Sequence, residues 1–510
     1  MSDQTRELPE QPSLRFLKLE AKRRLAAGEF ATLHDAQLAV AREHGLSSWT
    51  VLKETVTADQ AAANPALAQV HWLISRFGGA GGAAWERPAE QEMREHFAAQ
   101  FLAQAPPDVI IGTLARAAPM LRGDLVVTGY PADLAVRTQV GGMRLDAAVE
   151  ADPPHRLTMA QLLRLSQHVT DERVTDPPVV TAGPVPDAAL ELARASLAEL
   201  GLPGLILAGA TAAGAGGGPA WSLALGRADL DRPEPLGAGR RFPSYAITMV
   251  VTATAALRLV ASGVIELDAP ANQYLRTVRL ADGEVTVREL LSHTGGVGHG
   301  VDDPADLFGP AVTDLVTLTG PVMPCPGPRG AVSYSVGGYG VLGQLIADVT
   351  GARYQDAARS LVLDPLGMTG SFFPAAWPER DAARGYQLTD DGRFEPAPAR
   401  VCVIAAAGGL WTTAADVARF GVTWDSLLPA GLAAEALRPQ APPGNPGPRF
   451  GLGWPLHPGE RNLAGLVGGA PGTCASLLIV PGGGRASVAV ATRLAPTAIE
   501  QLNASLLQPA

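Results

Sequence analysis

Apolar residues near the start of the chain recur at helical spacing. Leu14, Leu17, Ala21 and Leu25 lie three or four positions apart, and Pro12-Ser13 before them favours a helix start. A second amphipathic run extends from about residue 32 to residue 44 and meets a glycine, which is a typical C-terminal stop. The pattern predicts a helical module within residues 1–60.

The pattern then changes to helices followed by short strands. Residues 58–65 are typical of a linker. The spacing of apolar residues predicts helices over 90–105 and 108–117 and strands over 124–129, 132–140 and 144–149. Residues 61–170 are therefore expected to form a small α+β domain, similar to cone-shaped NTF2/cystatin-like domains.

A second composition shift precedes the largest region. Residues 171–186 are rich in Pro, Val and Thr and are expected to form an extended linker. Beyond them, the pattern predicts a helix over 187–200, a buried strand over 203–208 and, after a Gly-rich turn, a hairpin partner over 221–229. Residues 187–510 are expected to be one domain.

Composition narrows the classes of function. The 510 residues are 47% hydrophobic and 18% charged, which is typical of a globular protein with more than one domain. A net charge of −10 offers no basic face for nucleic acid or for an anionic membrane. The polar, acidic N-terminus is unlike a secretory signal, and three widely spaced cysteines favour neither disulfides nor a zinc site. We expect a cytoplasmic protein without a metal, another cofactor, a nucleic-acid partner or a membrane partner.

Several short motifs follow one another in a recognisable order through the C-terminal region. They span residues 257–268, 286–297, 334–336, 363–368, 407–410, 450–454 and 468–472. In this order they resemble the family of class C β-lactamases, esterases and penicillin-binding proteins. The resemblance implies an α+β fold: a β-lactamase/transpeptidase-like domain with an antiparallel sheet flanked by helices and an all-helical subdomain.

The family's chemistry begins with a Ser-x-x-Lys motif at the start of a buried helix, which sets a nucleophile beside an amine. Counting back from Gly263 and forward from Phe242 places Ala246 at the serine position and Met249 at the lysine position. Ser244 lies two residues upstream, with no base at the matching spacing. The chain has three lysines, all near its N-terminus: Lys18, Lys22 and Lys53. Arginine stays protonated and cannot replace a lysine base.

Two further family motifs are also altered. The Tyr-x-Asn motif corresponds to Tyr334-Ser335-Val336, which keeps the tyrosine and loses the asparagine. The Lys- or His-x-Gly strand motif corresponds to Leu466-Val467-Gly468, which keeps only the glycine. The sequence therefore predicts an apolar cleft where relatives have a polar one.

The resemblance implies that backbone donors survive these replacements. It assigns the oxyanion hole to the main-chain N–H groups of Ala246 and Gly469, and it makes Tyr334 the acid/base candidate. The residues expected to line the pocket are Ser244, Tyr245, Met249, Val336, Leu466 and Gly468.

Three functions remain open at this point. The first is a repurposed enzyme that binds a small carbonyl compound and promotes cyclisation, isomerisation or elimination. The second is a pseudoenzyme that serves as a scaffold or ligand-binding protein. The third is an active serine hydrolase that uses Ser244 or Ser335.

Two other segments carry weaker hypotheses. His299, Asp302 and Asp303 follow a His-Thr-Gly-Gly turn and are candidates for acid/base or metal chemistry, with a solvated acidic loop as the alternative. Residues 36–49 resemble a short helical element that precedes repeat or enzyme domains in many bacterial proteins. Residues 8–57 are therefore a candidate surface for a protein partner.

Overall fold

The computed structural model describes residues 14–507 apart from short stretches. These are 28, 31, 45, 47, 50–51, 53–63, 78–87, 105–106, 108–109, 112–113, 115–124, 133, 141–142, 165–168, 213–219, 302, 379–381, 390, 443–448 and 458–461. The chain folds as two units, residues 1–167 and 168–510.

The first unit begins with two helices, α1 (Leu14–Ala26) and α2 (Leu33–Glu43). They pack through the buried side chains of Leu17, Ala21 and Val40. Thr32 caps α2 by accepting a hydrogen bond from the Asp35 backbone N–H. The apolar spacing of the sequence thus corresponds to the helices and to the face that they bury.

The rest of the first unit is α+β. Its helices are α3 (Pro65–Phe77), α4 (Glu90–His96) and α5 (Ala99–Gln104), and its strands are β1 (Leu125–Ala132), β2 (Ala135–Val140), β3 (Met143–Val149) and β4 (Leu157–Arg164). The four strands form an antiparallel sheet in sequence order. The NTF2/cystatin-like identity of this domain stays a prediction.

Several predicted boundaries in this unit were wrong. The helix expected over 90–105 is interrupted at Phe97, whose backbone is extended and forms a bridge with Leu157. Residue 132 belongs to β1 rather than to the next strand, and β4 was not predicted. The helix expected over 108–117 lies largely outside the described residues.

An eight-stranded antiparallel sheet forms the centre of the second unit, in the order β16-β17-β18-β19-β20-β6-β7-β5. Its strands are β5 (Val179–Ala182), β6 (Gly204–Thr211), β7 (Trp221–Gly226), β16 (Arg449–Phe450), β17 (Pro455–His457), β18 (Leu463–Ala470), β19 (Thr473–Val480) and β20 (Arg485–Ala491). Shorter strands lie outside it: β8 (Phe242–Pro243), β9 (Arg279–Leu280), β10 (Phe308–Gly309), β11 (Val322–Met323), β12 (Tyr386–Leu388), β13 (Phe394–Pro396), β14 (Val401–Cys402) and β15 (Trp411–Thr412).

The helices of the second unit cover both faces of this sheet or pack on the helices that do. They are α6 (Asp187–Leu200), α7 (Ile247–Ala261), α8 (Val287–Leu291), α9 (Leu315–Thr319), α10 (Val336–Thr350), α11 (Tyr354–Ala358), α12 (Ala405–Gly408), α13 (Ala414–Thr423), α14 (Ala430–Ala436) and α15 (Pro496–Ser505). Alternate residues of β6 serve opposite faces: Leu205 and Leu207 pack with α6 and α15, whereas Ile206 and Ala208 pack with the larger helical layer. The α+β fold expected from the sequence is confirmed. None of the described helices is long and apolar enough to cross a membrane.

The segment 171–186 is not the linker that its composition suggested. Residues 179–182 form the edge strand β5, which pairs with β7. Upstream of it, the buried carboxylate of Asp171 binds the Arg173 guanidinium at 2.6 Å and accepts from the Phe394 backbone N–H at 2.9 Å. This segment is part of the second unit and holds the β12–β13 hairpin in place.

Candidate functional site

The N-terminus of α7 lies against the edge of β18. Among the described residues, β17 pairs with β18 only at residues 463 and 464, so residues 466–470 have no described strand partner on that side. A Cβ atom added to Gly468 would lie 2.5 Å from the Ala246 backbone nitrogen and 2.8 Å from Tyr245 Cβ. Only glycine allows the strand to approach the helix this closely.

One backbone donor stays open at this junction. The first three N–H groups of α7 bond to carbonyl oxygens of residues 244, 245 and 246. The N–H of Ala246 has no hydrogen-bond acceptor among the described residues, and Ala246 is only partly buried. Helix N-termini also carry partial positive charge, so this end of α7 favours a partly negative oxygen. Gly469, the second predicted donor, follows Gly468 on the same edge.

Tyr245 is held in a strained conformation next to this donor. Its φ of +45° lies in the left-handed region that a tyrosine rarely adopts. The buried side chain is anchored by a hydrogen bond of 2.7 Å between its hydroxyl and Thr473 Oγ1, and burial raises the pKa of that phenol. Strain of this kind concentrates at functional sites.

The tyrosine of the second motif contacts the residue at the lysine position. The Tyr334 hydroxyl donates to Met249 Sδ at 3.3 Å, and Met249 is almost fully buried. Burial raises the pKa of Tyr334, with a smaller contribution from the nearby Cys402 thiol, so the phenol keeps its proton at neutral pH. The structure therefore brings together Tyr334, Met249 and the first turn of α7.

Both candidate serine nucleophiles have structural roles. Ser244 is fully buried, and its hydroxyl lies 3.0 Å from the Leu410 carbonyl oxygen and 3.2 Å from Thr248 Oγ1. Ser335 caps α10, because its hydroxyl accepts from the Gly338 N–H and donates to the Gly298 carbonyl, each at 2.8 Å. The expectation that Ser244 lines the pocket was wrong, since the turn before α7 packs into the core.

Two other expected pocket residues also belong to the packing. Leu466 is buried in the main hydrophobic core, and Val336 packs against that core at the start of α10. His293 supports this region, because its Nδ1 accepts from the Ser335 N–H at 3.1 Å and its ring lies 4.7 Å from that of Tyr334. Burial lowers the pKa of His293 to about 3, so the ring is neutral.

The described residues of the loop after His293 do not form an acid/base cluster. Asp303 is exposed and caps a short 3₁₀ helix by accepting from the Ala305 N–H at 2.8 Å. His299 is exposed, and neither residue lines a cavity with Tyr245. Asp302 lies outside the described residues.

A cavity of about 470 Å³ opens beside the junction, and we call it the aromatic cleft. Its lining includes Tyr245, Phe308, Trp377, Arg400, Ala470 and Thr473. The rings of Tyr245 and Phe308 meet edge to face at 5.8 Å, and Trp377 stands edge to face against the buried Trp411 at 4.8 Å. Of these residues, only Tyr245 was predicted. The others come from separate segments without a shared motif.

A larger cavity of about 620 Å³ lies elsewhere in the second unit. It is lined by α10, α11 and α12, with polar side chains such as Arg276, Asp348 and Arg353. It contains none of the predicted site residues, so size alone does not identify the functional cleft.

Comparisons with known proteins identify the family to which the chain belongs. A family model described as "Beta-lactamase" matches residues 192–509. The chain is 30% identical over 308 residues to Esterase EstB of Burkholderia gladioli, covering 48% of this chain and 77% of that protein. It is 31% identical over 276 residues to Penicillin-binding protein 4 of Amycolatopsis lactamdurans, covering 48% and 70%. A penicillin-binding protein from Bacillus halodurans shares the fold, with 21% identity, a TM-score of 0.53 and coverage of 63% of this chain and 100% of that one.

Proposed function

Because this chain belongs to the β-lactamase family yet carries Ala246 and Met249 at the nucleophile and lysine positions, we propose that it is a repurposed, non-hydrolytic member. The proposed function is to bind a small carbonyl compound and to promote cyclisation, isomerisation or elimination. The observation that carries it is the open Ala246 N–H at the start of α7, beside an apolar cleft and a protonated Tyr334.

The open backbone donor supports binding of a carbonyl group. A backbone N–H aimed at an oxygen that gains negative charge lowers a reaction barrier by about 3–4 kcal/mol in acyl-transfer enzymes. This effect does not depend on the side chain at residue 246. Glycine at residue 468 keeps a side chain away from the donor, since a Cβ atom there would lie 2.5 Å from the Ala246 nitrogen.

Tyr334 supports the second half of the proposal. Its hydroxyl proton points to a thioether sulfur, which is a weak acceptor, so the proton can be redirected to a bound oxygen at little cost. Because burial raises the pKa of this phenol, the group is protonated at neutral pH and is present as a hydrogen-bond donor rather than as a base. Tyr334 is therefore assigned as the proton donor to the polarised carbonyl.

Because the named relatives are an esterase and a penicillin-binding protein, hydrolysis is the alternative activity that must be tested. A covalent mechanism needs a nucleophile with an adjacent base. Ser244 and Ser335 are both committed to backbone hydrogen bonds, and no lysine follows residue 53.

Labelling separates the hydrolytic from the non-hydrolytic proposal. The protein is incubated with a fluorescent fluorophosphonate and a fluorescent penicillin, and bound dye is measured after denaturation. We expect no covalent label. Stoichiometric label that disappears in Ser244→Ala or in Ser335→Ala would overturn the proposal.

Exchange of α-protons tests carbonyl activation without assuming a natural substrate. Acetophenone in D₂O is followed by proton NMR, because polarisation of its carbonyl accelerates loss of the methyl protons. We expect acceleration over buffer and a decrease of roughly 100-fold or more in Tyr334→Phe. Tyr274→Phe, which changes a tyrosine outside the cleft, serves as the matched control.

A non-catalytic ligand-binding protein is the second candidate. The burial of Met249 and Leu466 favours it, because these replacements are typical of a packed site. Acetophenone that binds, as detected by tryptophan fluorescence, but exchanges at the buffer rate would support this candidate against the first.

A further inference from the structure

We propose that the aromatic cleft is a binding site for a planar aromatic acid whose carboxylate pairs with Arg400. This inference rests on the proposed function, because it names the class of compound that the same site accepts. It is carried by the position of the cleft, the nature of its walls and the one cation in its lining.

The cleft adjoins the α7–β18 junction along both chain segments. Tyr245 directly precedes Ala246, and Ala470 directly follows Gly469; both Tyr245 and Ala470 line the cavity. Ala246, Gly469 and Tyr334 do not line the cavity themselves, so only the substituent of a junction-bound carbonyl group would lie in this space. A volume of about 470 Å³ is in the range of pockets that enclose small-molecule ligands.

The walls favour a flat, apolar group. Phe308 is fixed by β10, which pairs with β14, and its ring packs against Tyr245. Trp377 is held by its edge-to-face contact with Trp411 and is itself only partly buried. Aromatic ligands gain from stacked or edge-to-face contacts with such rings in addition to the area that they bury.

Arg400 provides the charge. It is the only charged residue in the cleft's described lining, and its Nη1 donates to the Phe308 carbonyl oxygen at 3.2 Å. No described carboxylate lies within ion-pair distance of it, in contrast to Arg173, Arg288 and Arg329, each of which has an acidic partner.

A guanidinium that has no acidic partner among the described residues, at the edge of an aromatic cavity, favours a planar anion. Its remaining N–H groups match the two oxygens of a carboxylate, and such charge-assisted bonds are about twice as strong as neutral ones. Arg400 is exposed at the edge of the cleft, so a ligand carboxylate can reach its guanidinium.

The test uses three probes that differ by one group each. They are 4-benzoylbenzoate, its amide 4-benzoylbenzamide, and 4-benzylbenzoate, which replaces the ketone with a methylene. Binding to the full chain is measured by isothermal titration calorimetry at pH 7.5. The variants are Arg400→Gln and, as a matched control, Arg393→Gln, which removes an exposed arginine of the β12–β13 hairpin that does not line the cleft.

We expect 4-benzoylbenzoate to bind about 10-fold or more tightly than its amide. Arg400→Gln should reduce the ratio of the two Kd values to about one while leaving amide binding unchanged, and Arg393→Gln should preserve the ratio. Equal affinity of carboxylate and amide for the unmodified protein would overturn the assignment of Arg400, as would a preference that survives Arg400→Gln.

The ketone comparison isolates the proposed function from this inference. If 4-benzylbenzoate binds as tightly as 4-benzoylbenzoate, the cleft binds aromatic acids without using the carbonyl, and the proposed function fails alone. If the ketone matters and the carboxylate does not, the proposed function stands and the role of Arg400 fails. If none of the probes binds, both are overturned.

Discussion

The N-terminal ends of α7 and α10 lie close together in the second unit, and they differ in how their backbone N–H groups are hydrogen-bonded. At α10, Ser335 caps the Gly338 N–H, and His293 accepts from the Ser335 N–H. At α7, Ala246 provides no side-chain cap, and its own N–H has no acceptor among the described residues. Tyr334, just before α10, joins the two ends through Met249.

The difference separates structural polar groups from functional ones. A serine cap contributes about 1 kcal/mol to stability, and an alanine in its place forfeits that contribution. At α10 the polar side chains form hydrogen bonds within the protein and are not available to a substrate. At α7 the fold leaves a backbone donor open next to a cavity, so this end of a helix is the one that a ligand can use.

The largest expected effect comes from restoring an amine at α7. Met249→Lys places a charge in the main core, where the Tyr334 hydroxyl is the hydrogen-bond partner of the Met249 sulfur among the described residues. We expect it to lower the free energy of unfolding by about 3–5 kcal/mol, because the charge is buried without a partner. Urea denaturation followed by tryptophan fluorescence measures the change.

Met249→Leu is the matched control and should cost less than about 1.5 kcal/mol, because it conserves volume and polarity. A lysine variant as stable as the leucine variant would contradict the view that the cleft floor has become apolar.

A smaller effect is expected at the capped N-terminus of α10 when the pH is lowered. The pKa of His293 is about 3 in the folded protein and about 6.5 when the chain is unfolded, since burial disfavours the charged ring. Below pH 6.5 the unfolded chain therefore takes up a proton that the folded one does not. The free energy of unfolding consequently decreases as the pH is lowered. From pH 7.5 to pH 5 this one group should remove about 2 kcal/mol.

His293→Asn tests that origin, because asparagine tolerates the left-handed backbone at this position (φ of +58°) and does not titrate. The variant should be less stable than the unmodified protein at pH 7.5, and the difference should narrow by about 2 kcal/mol at pH 5. A constant difference over this range would show that the imidazole has the same pKa in the folded protein as in the unfolded chain, so that burial does not hold it neutral.

The sequence predicted what depends on order and periodicity. The motif order identified the fold, and counting from Gly263 and Phe242 led to a register in which Tyr334 and Met249 turn out to be in contact. It missed β5, because an edge strand with mostly exposed residues lacks the apolar alternation of a buried strand. It also continued a helix through Phe97, whose extended backbone is set by a bridge to Leu157 that lies 60 residues away.

The residues that line the aromatic cleft could not be predicted from the sequence either. Phe308, Trp377 and Arg400 come together only through tertiary packing, and no spacing along the chain links them. The assignment of Ser244 and Leu466 to the pocket failed because proximity to a motif does not reveal which way a side chain points.

The smallest expected effect on stability is at the N-terminus of α7, at Ala246. Ala246→Ser should change the free energy of unfolding by less than about 0.5 kcal/mol, because the site is partly exposed and the helical backbone of residue 246 is unlike a cap that accepts from the next turn. Ala256→Ser in the buried middle of α7 is the matched control and should cost about 1–3 kcal/mol, since its hydroxyl is desolvated.

The new hydroxyl at residue 246 has Met249 where a base would lie, so fluorophosphonate should still fail to label the variant. Stoichiometric labelling would instead show that Tyr334 can activate a serine at this helix end, and that the nucleophile alone separates this cleft from a hydrolase.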